Sequence, residues 1–243
     1  MLETMGGRNA AHRRTRRFPL RLGVCLLALA GAVLFAQAGA SEAPAEGAQP
    51  AGGATASTVY AWGEDGLGSV TSLDETPVTV PAAAGATAIA AGDPASFAVL
   101  PDGHVISWQT GSKPRPVAGL RDVTTISAGF DHILALLSNG TVAAWGENYS
   151  GQLGDGTTTA STTPVAVTGL SDVKALANGY GFSLALRADG TVMGWGDDGI
   201  GQLALGRSPS LSSCSGIPCA TTPVAIPGLS HVTAIAAGSS DGY

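Results

Sequence analysis

SAGFDHILALLSNGTVAAWGENYSGQLGDG, residues 127–156, is answered fifty residues later by ANGYGFSLALRADGTVMGWGDDGIGQLALG, residues 177–206. Both stretches place two short apolar runs around an Asn-Gly or Asp-Gly pair, which supplies the positive-φ residues that tight hairpins need. Each is therefore a β-hairpin, and its recurrence makes the chain a repeat protein. Working outward, the glycines Gly92, Gly129, Gly179 and Gly238 mark four units. After the first three, a turn glycine follows at +11 (Gly103, Gly140, Gly190) and a tryptophan at +16 (Trp108, Trp145, Trp195). Trp62 belongs to a partial unit before them. A one-residue slip would turn every side chain of the second strand to the wrong face, so fixed spacing protects register.

Gly119-Leu120, Gly169-Leu170 and Gly228-Leu229 stand ten residues before the last three marker glycines, and a Pro-Val pair precedes each. Only the distance from each tryptophan to the next marker glycine varies: 30, 21, 34 and 43 residues. Insertions are best tolerated in surface loops, so that stretch is the loop-bearing part, with room for a fourth strand. One small sheet cannot bury both faces. Stacking of successive sheets, with the tryptophans between them, favours the blades of a β-propeller.

The combined pattern, Ala-Gly-x-x-His-x-Leu-Ala-Leu, then Asn/Asp-Gly-x-Val-x-x-Trp-Gly, then Gly-Gln-Leu-Gly, resembles the regulator of chromosome condensation repeat. The resemblance covers about residues 58–243. It implies an all-β propeller, typically of seven blades, of which about 3.5 are present. Tyr243 stops five residues past Gly238, so the expectation is a fragment of a longer ring. Closure as a small four-bladed ring and assembly with another chain stand as alternatives. His132 holds the family's histidine position, while Ala95-Ser96 and Phe182 stand there in other units. It is expected to be structural, buried and bonded to backbone. After Trp108 only Gln-Thr-Gly-Ser-Lys-Pro-Arg-Pro separates the tryptophan from Pro116-Val117, a loss of about a hairpin. Short blades of this sort in an acidic, exported chain are similar to the secreted propeller-type inhibitors of beta-lactamase.

The rest of the chain bears on location and chemistry. Arg13, Arg14, Arg16, Arg17 and Arg21 precede the apolar run Leu22–Phe35, which ends in small-x-small patterns at Ala36–Ala40. That is the layout of a secretory signal peptide over residues 1–40, and fourteen apolar residues are too few for a membrane-spanning helix. Residues 41–57, rich in Ala, Gly, Pro and Ser, form a linker, and residues 58–243 form the repeat domain. A secreted or periplasmic location follows, with no stable membrane insertion after cleavage. Beyond residue 40, six basic residues face seventeen acidic ones, a net charge of −11, which disfavours nucleic acid as a partner. Cys214 and Cys219 are expected to pair, as close cysteines of exported proteins do.

No catalytic, metal or cofactor site is expected. Gly-Gln-Leu-Gly lacks the Lys-Ser/Thr of a phosphate loop, and the Asp-Gly pairs lack the spaced oxygen ligands of a calcium loop. Asn139 and Asn148 match glycosylation sequons, but Asn139 is better explained by its turn. Function is therefore expected on the loops that follow the tryptophans. There Glu64, Asp65, Glu147, Asn148, Tyr149, Asp197 and Asp198 would form an acidic rim for a protein partner with a basic patch. The expected function is non-enzymatic binding of a protein or cell-envelope partner through this loop face. The resemblance adds two alternatives: regulation of a small GTPase as a guanine-nucleotide exchange factor, and enzyme inhibition by a secreted propeller.

Overall fold

A computed structural model describes residues 57–63, 74–93, 95–109, 112–206 and 211–238, and the backbone of two further strands. Those two, β1 (Cys25–Leu29) and β2 (Ala32–Ala36), pair antiparallel. The remainder of the expected signal segment, and residues 41–56 of the linker, lie outside the described residues. No helix among the described residues is long and apolar enough to cross a membrane.

The repeats form consecutive antiparallel sheets. β3 (Tyr60–Gly63) and β4 (Asp74–Thr79) make a half-blade. Blade 1 contains β5 (Ala88–Ala91), β6 (Ser96–Val99), β7 (Val105–Trp108) and β8 (Arg115–Pro116), hydrogen-bonded in that order. Blade 2 contains β9 (Val123–Ala128), β10 (His132–Leu137), β11 (Val142–Gly146) and β12 (Ser161–Ala166). Blade 3 has β13 (Val173–Asn178), β14 (Phe182–Arg187), β15 (Val192–Asp197) and β17 (Ile217–Ala225), with β16 (Ser212–Cys214) added outside β17. This is a partial propeller of about three and a half blades among the described residues. The Pro-Val pairs fall in or beside strands that are outermost at that point, since β16 covers only Ile217–Cys219 of β17, and a missing N–H does least harm there. β8 keeps only two residues, as the shortened segment after Trp108 implies.

Gly92 and Gly129 sit where innermost strands converge. A Cβ on Gly92 would stand 2.7 Å from the carbonyl oxygen of Gly129, and one on Gly129 would stand 2.9 Å from Cβ of Asn178. Alanine does not fit there, which explains the Ala-x-Gly or Ala-Gly endings. At the opposite end, Gly103, Gly140 and Gly190 have φ of 77°, 79° and 83°. Asn139 Oδ1 accepts from Thr141 N at 3.0 Å, and Asp189 Oδ1 from Thr191 N at 2.9 Å. Each turn then meets the next repeat: Val123 N donates to Gly103 O, Val173 N to Gly140 O and Val232 N to Gly190 O, all at 3.1 Å. The hairpin turn of one blade thus pins the first strand of its successor.

The cores lie between sheets, one per seam. Val59, Ala61, Val80 and Ala83 pack against Ala98, Ile106 and Trp108. Phe97, Val99 and Val105 pack against Ala135, Ala143 and Trp145. Leu134, Leu136 and Ala144 pack against Ala185 and Trp195. Each of these tryptophans therefore faces the preceding sheet, as expected of a residue that joins neighbours. Trp62 stands in β3, and its side chain lies outside the described residues.

Candidate functional site

The end of the blades that carries the Trp-Gly loops brings together most of the polar side chains of interest. The strand pair His132↔Gly146 places the start of β10 beside the end of β11, so Phe130, Asp131, Glu147 and Tyr149 share this end. Phe182↔Gly196 does the same for Tyr180, Asp197 and Asp198 in blade 3.

The innermost feature is a cross-blade hydrogen-bond cluster. His132 is fully buried; its Nδ1 lies 3.0 Å from Asp131 Oδ1 and its Nε2 lies 2.8 Å from Ser183 Oγ of the next blade. Ser183 Oγ is also 3.0 Å from the carbonyl oxygen of Gln152, which accepts the Trp195 indole N–H at 2.9 Å. Asp131 Oδ2 accepts from the Tyr149 hydroxyl and, at 3.3 Å, from Gln152 Nε2. Burial pushes the Asp131 carboxyl up, but the hydrogen bonds from His132, Tyr149 and Gln152 outweigh it and hold it below the usual carboxylate range. Burial and the Asp131 carboxylate together push the Tyr149 phenol well above its ordinary value. A carboxylate only accepts, so the His132 nitrogen facing Asp131 carries a proton.

Asp131, His132 and Ser183 lie in the sequence of contacts that a serine nucleophile uses. Ser183 and His132 are both 0% exposed, however, and Trp195 and Leu203 nearby are equally closed off. A substrate carbonyl has no route to Ser183 Oγ. The cluster is a staple between blades 2 and 3. The expected backbone partner for the His132 ring is replaced by two side chains, Asp131 and Ser183; the backbone contact is made by its own carbonyl, which accepts from Asn178 Nδ2 at 3.1 Å.

Two of the seven expected rim residues serve the loops' own fold instead. Asn148 is 0% exposed: its Nδ2 donates to Thr157 O at 3.2 Å and Thr159 O at 3.1 Å, and its Oδ1 accepts from Leu153 N at 2.9 Å. Asp198 is 5% exposed, and its Oδ1 accepts from Leu203 N at 2.8 Å in the equivalent place. Buried polar side chains need such partners, so neither faces a ligand, and Asn148 is no glycan acceptor. Asp197 caps its own turn by accepting from Gly199 N at 2.7 Å. Glu147 is exposed, and Tyr149 is 44% exposed with its hydroxyl tied to Asp131. Glu64 and Asp65 lie outside the described residues.

Sequence reasoning missed the apolar side chains of this end. Phe130 is 48% exposed, Ile200 67% and Ile217 47%. Phe130 packs on Tyr180 with ring centroids 5.0 Å apart. Ile217 lies beside Gly199, at the tip of the β16–β17 hairpin that the Cys214–Cys219 disulfide closes. The expected cysteine pair is formed. A sequence signal for Phe130 existed: two aromatic residues, Phe130 and Tyr180, follow the marker glycines Gly129 and Gly179 directly.

Comparison with known proteins agrees with this architecture. Residues 123–152 and 173–202 match the Regulator of chromosome condensation (RCC1) repeat, and a second model of that repeat matches residues 139–186. The E3 ubiquitin-protein ligase HERC2 of Homo sapiens is 30% identical over 128 residues, covering 44% of this chain; HERC2 of Mus musculus matches equally. This chain spans 3% of the length of those curated relatives. Among solved structures, that of Kap60 bound to yeast RCC1 (Prp20) aligns with a TM-score of 0.65 at 23% identity, over 75% of this chain and 48% of the other. Prp20p from Saccharomyces cerevisiae, studied with its binding to Gsp1p and histones, aligns at 0.63 and 24% identity, over 75% and 50%. Human WBSCR16 aligns at 0.62 and 22% identity, over 75% and 51%. At these identities the likeness speaks to fold, and this chain spans about half the length of each solved relative.

Proposed function

We propose that this chain, which carries regulator of chromosome condensation repeats, is an exported β-propeller protein that binds another protein through the Trp-Gly end of its blades and performs no catalysis itself. The observation that carries the reading is where the exposed apolar side chains lie. Of the six large hydrophobic residues exposed among the described residues, Phe130, Tyr149, Ile200 and Ile217 gather at that end. Clustered exposed apolar side chains among charged neighbours mark protein interfaces. Here the neighbours Glu147 and Asp197 are acidic, which suits a partner with a basic patch. The loops are held by buried Asn148 and Asp198, so little ordering is needed on binding. Proteins of similar fold are described with protein partners, Kap60 for yeast RCC1 and Gsp1p and histones for Prp20p. Export rests on the arginine-rich, apolar start of the chain.

The test is affinity capture from periplasm or medium with the full chain and with an Ile200→Ser/Ile217→Ser variant. Both side chains are exposed, so the variant keeps the fold. A partner held by the wild type and lost by the variant supports the reading. Equal capture by both removes it. The mass of the exported protein, starting near residue 39 or 41, tests export separately.

A further inference from the structure

Among the described residues, the two seams between complete blades are built from equivalent repeat positions but are not equally filled. Between blades 2 and 3, the loop after Trp145 folds back so that Gln152 and Leu153 are 0% exposed. The backbone at Gly154 comes so close to Trp195 that a Cβ there would stand 2.8 Å from the indole nitrogen. Between blades 1 and 2, the tryptophan is kept but its partners are changed. Ala95 stands in place of His132, Ile133 in place of Ser183, and the six residues 109–114 in place of 146–160. Trp145 occupies the position of Trp195, but its indole N–H meets no acceptor equivalent to Gln152 O among the described residues.

What remains is a groove of about 730 Å³, within the size range of ligand sites. Ala95, Phe97, Ile133 and Trp145 form its apolar floor, and Pro116 and Pro164 stand on its sides. The charged residues that line it are Asp93, Asp131 and Glu147; none is Lys or Arg.

We propose that this open seam binds a tight turn from a partner protein, with a glycine-flanked leucine and a lysine or arginine beside it. The chain itself shows what such a seam accepts: in the closed one, a Gly-Gln-Leu-Gly turn inserts its leucine and gives a backbone carbonyl to the seam tryptophan. The apolar floor takes the leucine, Trp145 Nε1 takes the carbonyl, and the acidic rim at Glu147 takes the cation. The proposal rests on the reading that the chain binds proteins, and it narrows the partner to one that presents such a turn.

The test uses the full chain and a cyclic peptide with the sequence of residues 148–156, carrying lysine at the position of Asp155. Isothermal titration is run against wild type, against a variant with residues 109–114 replaced by a copy of 146–160, and against Ala95→Phe. The latter copies the residue found at Phe182, so it keeps the fold while narrowing the groove. The expected result is saturable binding to wild type, weakened at least tenfold when the peptide leucine is serine and at least tenfold by either plugged variant. No binding by wild type, or binding indifferent to the leucine or to both plugs, overturns the proposal. So does a concentration-dependent dimer abolished by the plugs, which would assign the groove to a second copy. If partner capture survives plugging but is lost in Ile200→Ser/Ile217→Ser, the groove fails while the protein-binding reading stands. If capture is indifferent to Ile200→Ser/Ile217→Ser, the wider reading fails, whatever the plugged variants do.

Discussion

Ser183→Ala probes the staple directly. The hydroxyl is 0% exposed and lies 2.8 Å from His132 Nε2 and 3.0 Å from Gln152 O. Gln152 O keeps the Trp195 N–H at 2.9 Å, so the loss falls on the histidine. A buried ring nitrogen left without a partner costs about 1–3 kcal/mol. The void left by one oxygen adds little, so the expected destabilisation is about 2 kcal/mol. With a urea m-value of ~2 kcal/mol/M, the unfolding midpoint moves down by about 1 M. Ser96 is the internal control: it occupies the same repeat position in blade 1, is also buried, and meets no histidine among the described residues, so Ser96→Ala should move the midpoint clearly less. A double-mutant cycle with His132→Ala isolates the pair, with a coupling of at least ~1 kcal/mol expected. A Ser183→Ala midpoint indistinguishable from that of Ser96→Ala, or a coupling near zero, would refute the idea that this bond joins the blades.

Three other outcomes follow from the same geometry. Gly154→Ala puts a methyl 2.8 Å from the Trp195 indole at φ +67° and should cost more than ~2 kcal/mol. Gly169→Ala, at φ +69° with nothing within 4 Å, should cost only the ~1–2 kcal/mol of the left-handed backbone; thermal unfolding of the two compares them. Because the Asp131 carboxyl is held below its unfolded value, its contribution to stability is complete above the unfolded pKa of about 3.9 and is lost as pH falls through the folded pKa. Asp131→Asn should therefore be less stable at neutral pH and show a shallower acid transition by circular dichroism. In an ultraviolet titration Tyr149 should be the last tyrosine to ionise, and Asp131→Asn should bring it down.

The hairpins were legible in the sequence because their determinants are local. Asn139-Gly140 and Asp189-Gly190 set the turns, and alternating apolar residues set the strands. The tryptophans were legible as seam residues because their offset never varies. The staple was not, because its members come from 51 residues apart: His132 and Ser183 meet only when two sheets stack. Asn148 and Asp198 misled for a related reason. A polar residue in a polar loop reads as exposed, yet each folds its loop by holding the backbone N–H five residues on. The missing hairpin after Trp108 was visible as a length difference. That its absence opens a groove against Trp145 follows only once the filled seam is seen beside it.

The unequal seams also divide the molecule kinetically. Both seams hold an apolar core, but blades 2 and 3 add a staple and a buried loop to theirs, whereas the core between blades 1 and 2 is left open at the groove. In a stacked array, opening free energy is set by each interface. Amide protons of β10 and β14 should then exchange as one slow cooperative unit, and those of β6 sooner. A single shortened loop thus gives the chain a built-in parting line, along which blade 1 can breathe without disturbing the pair behind it.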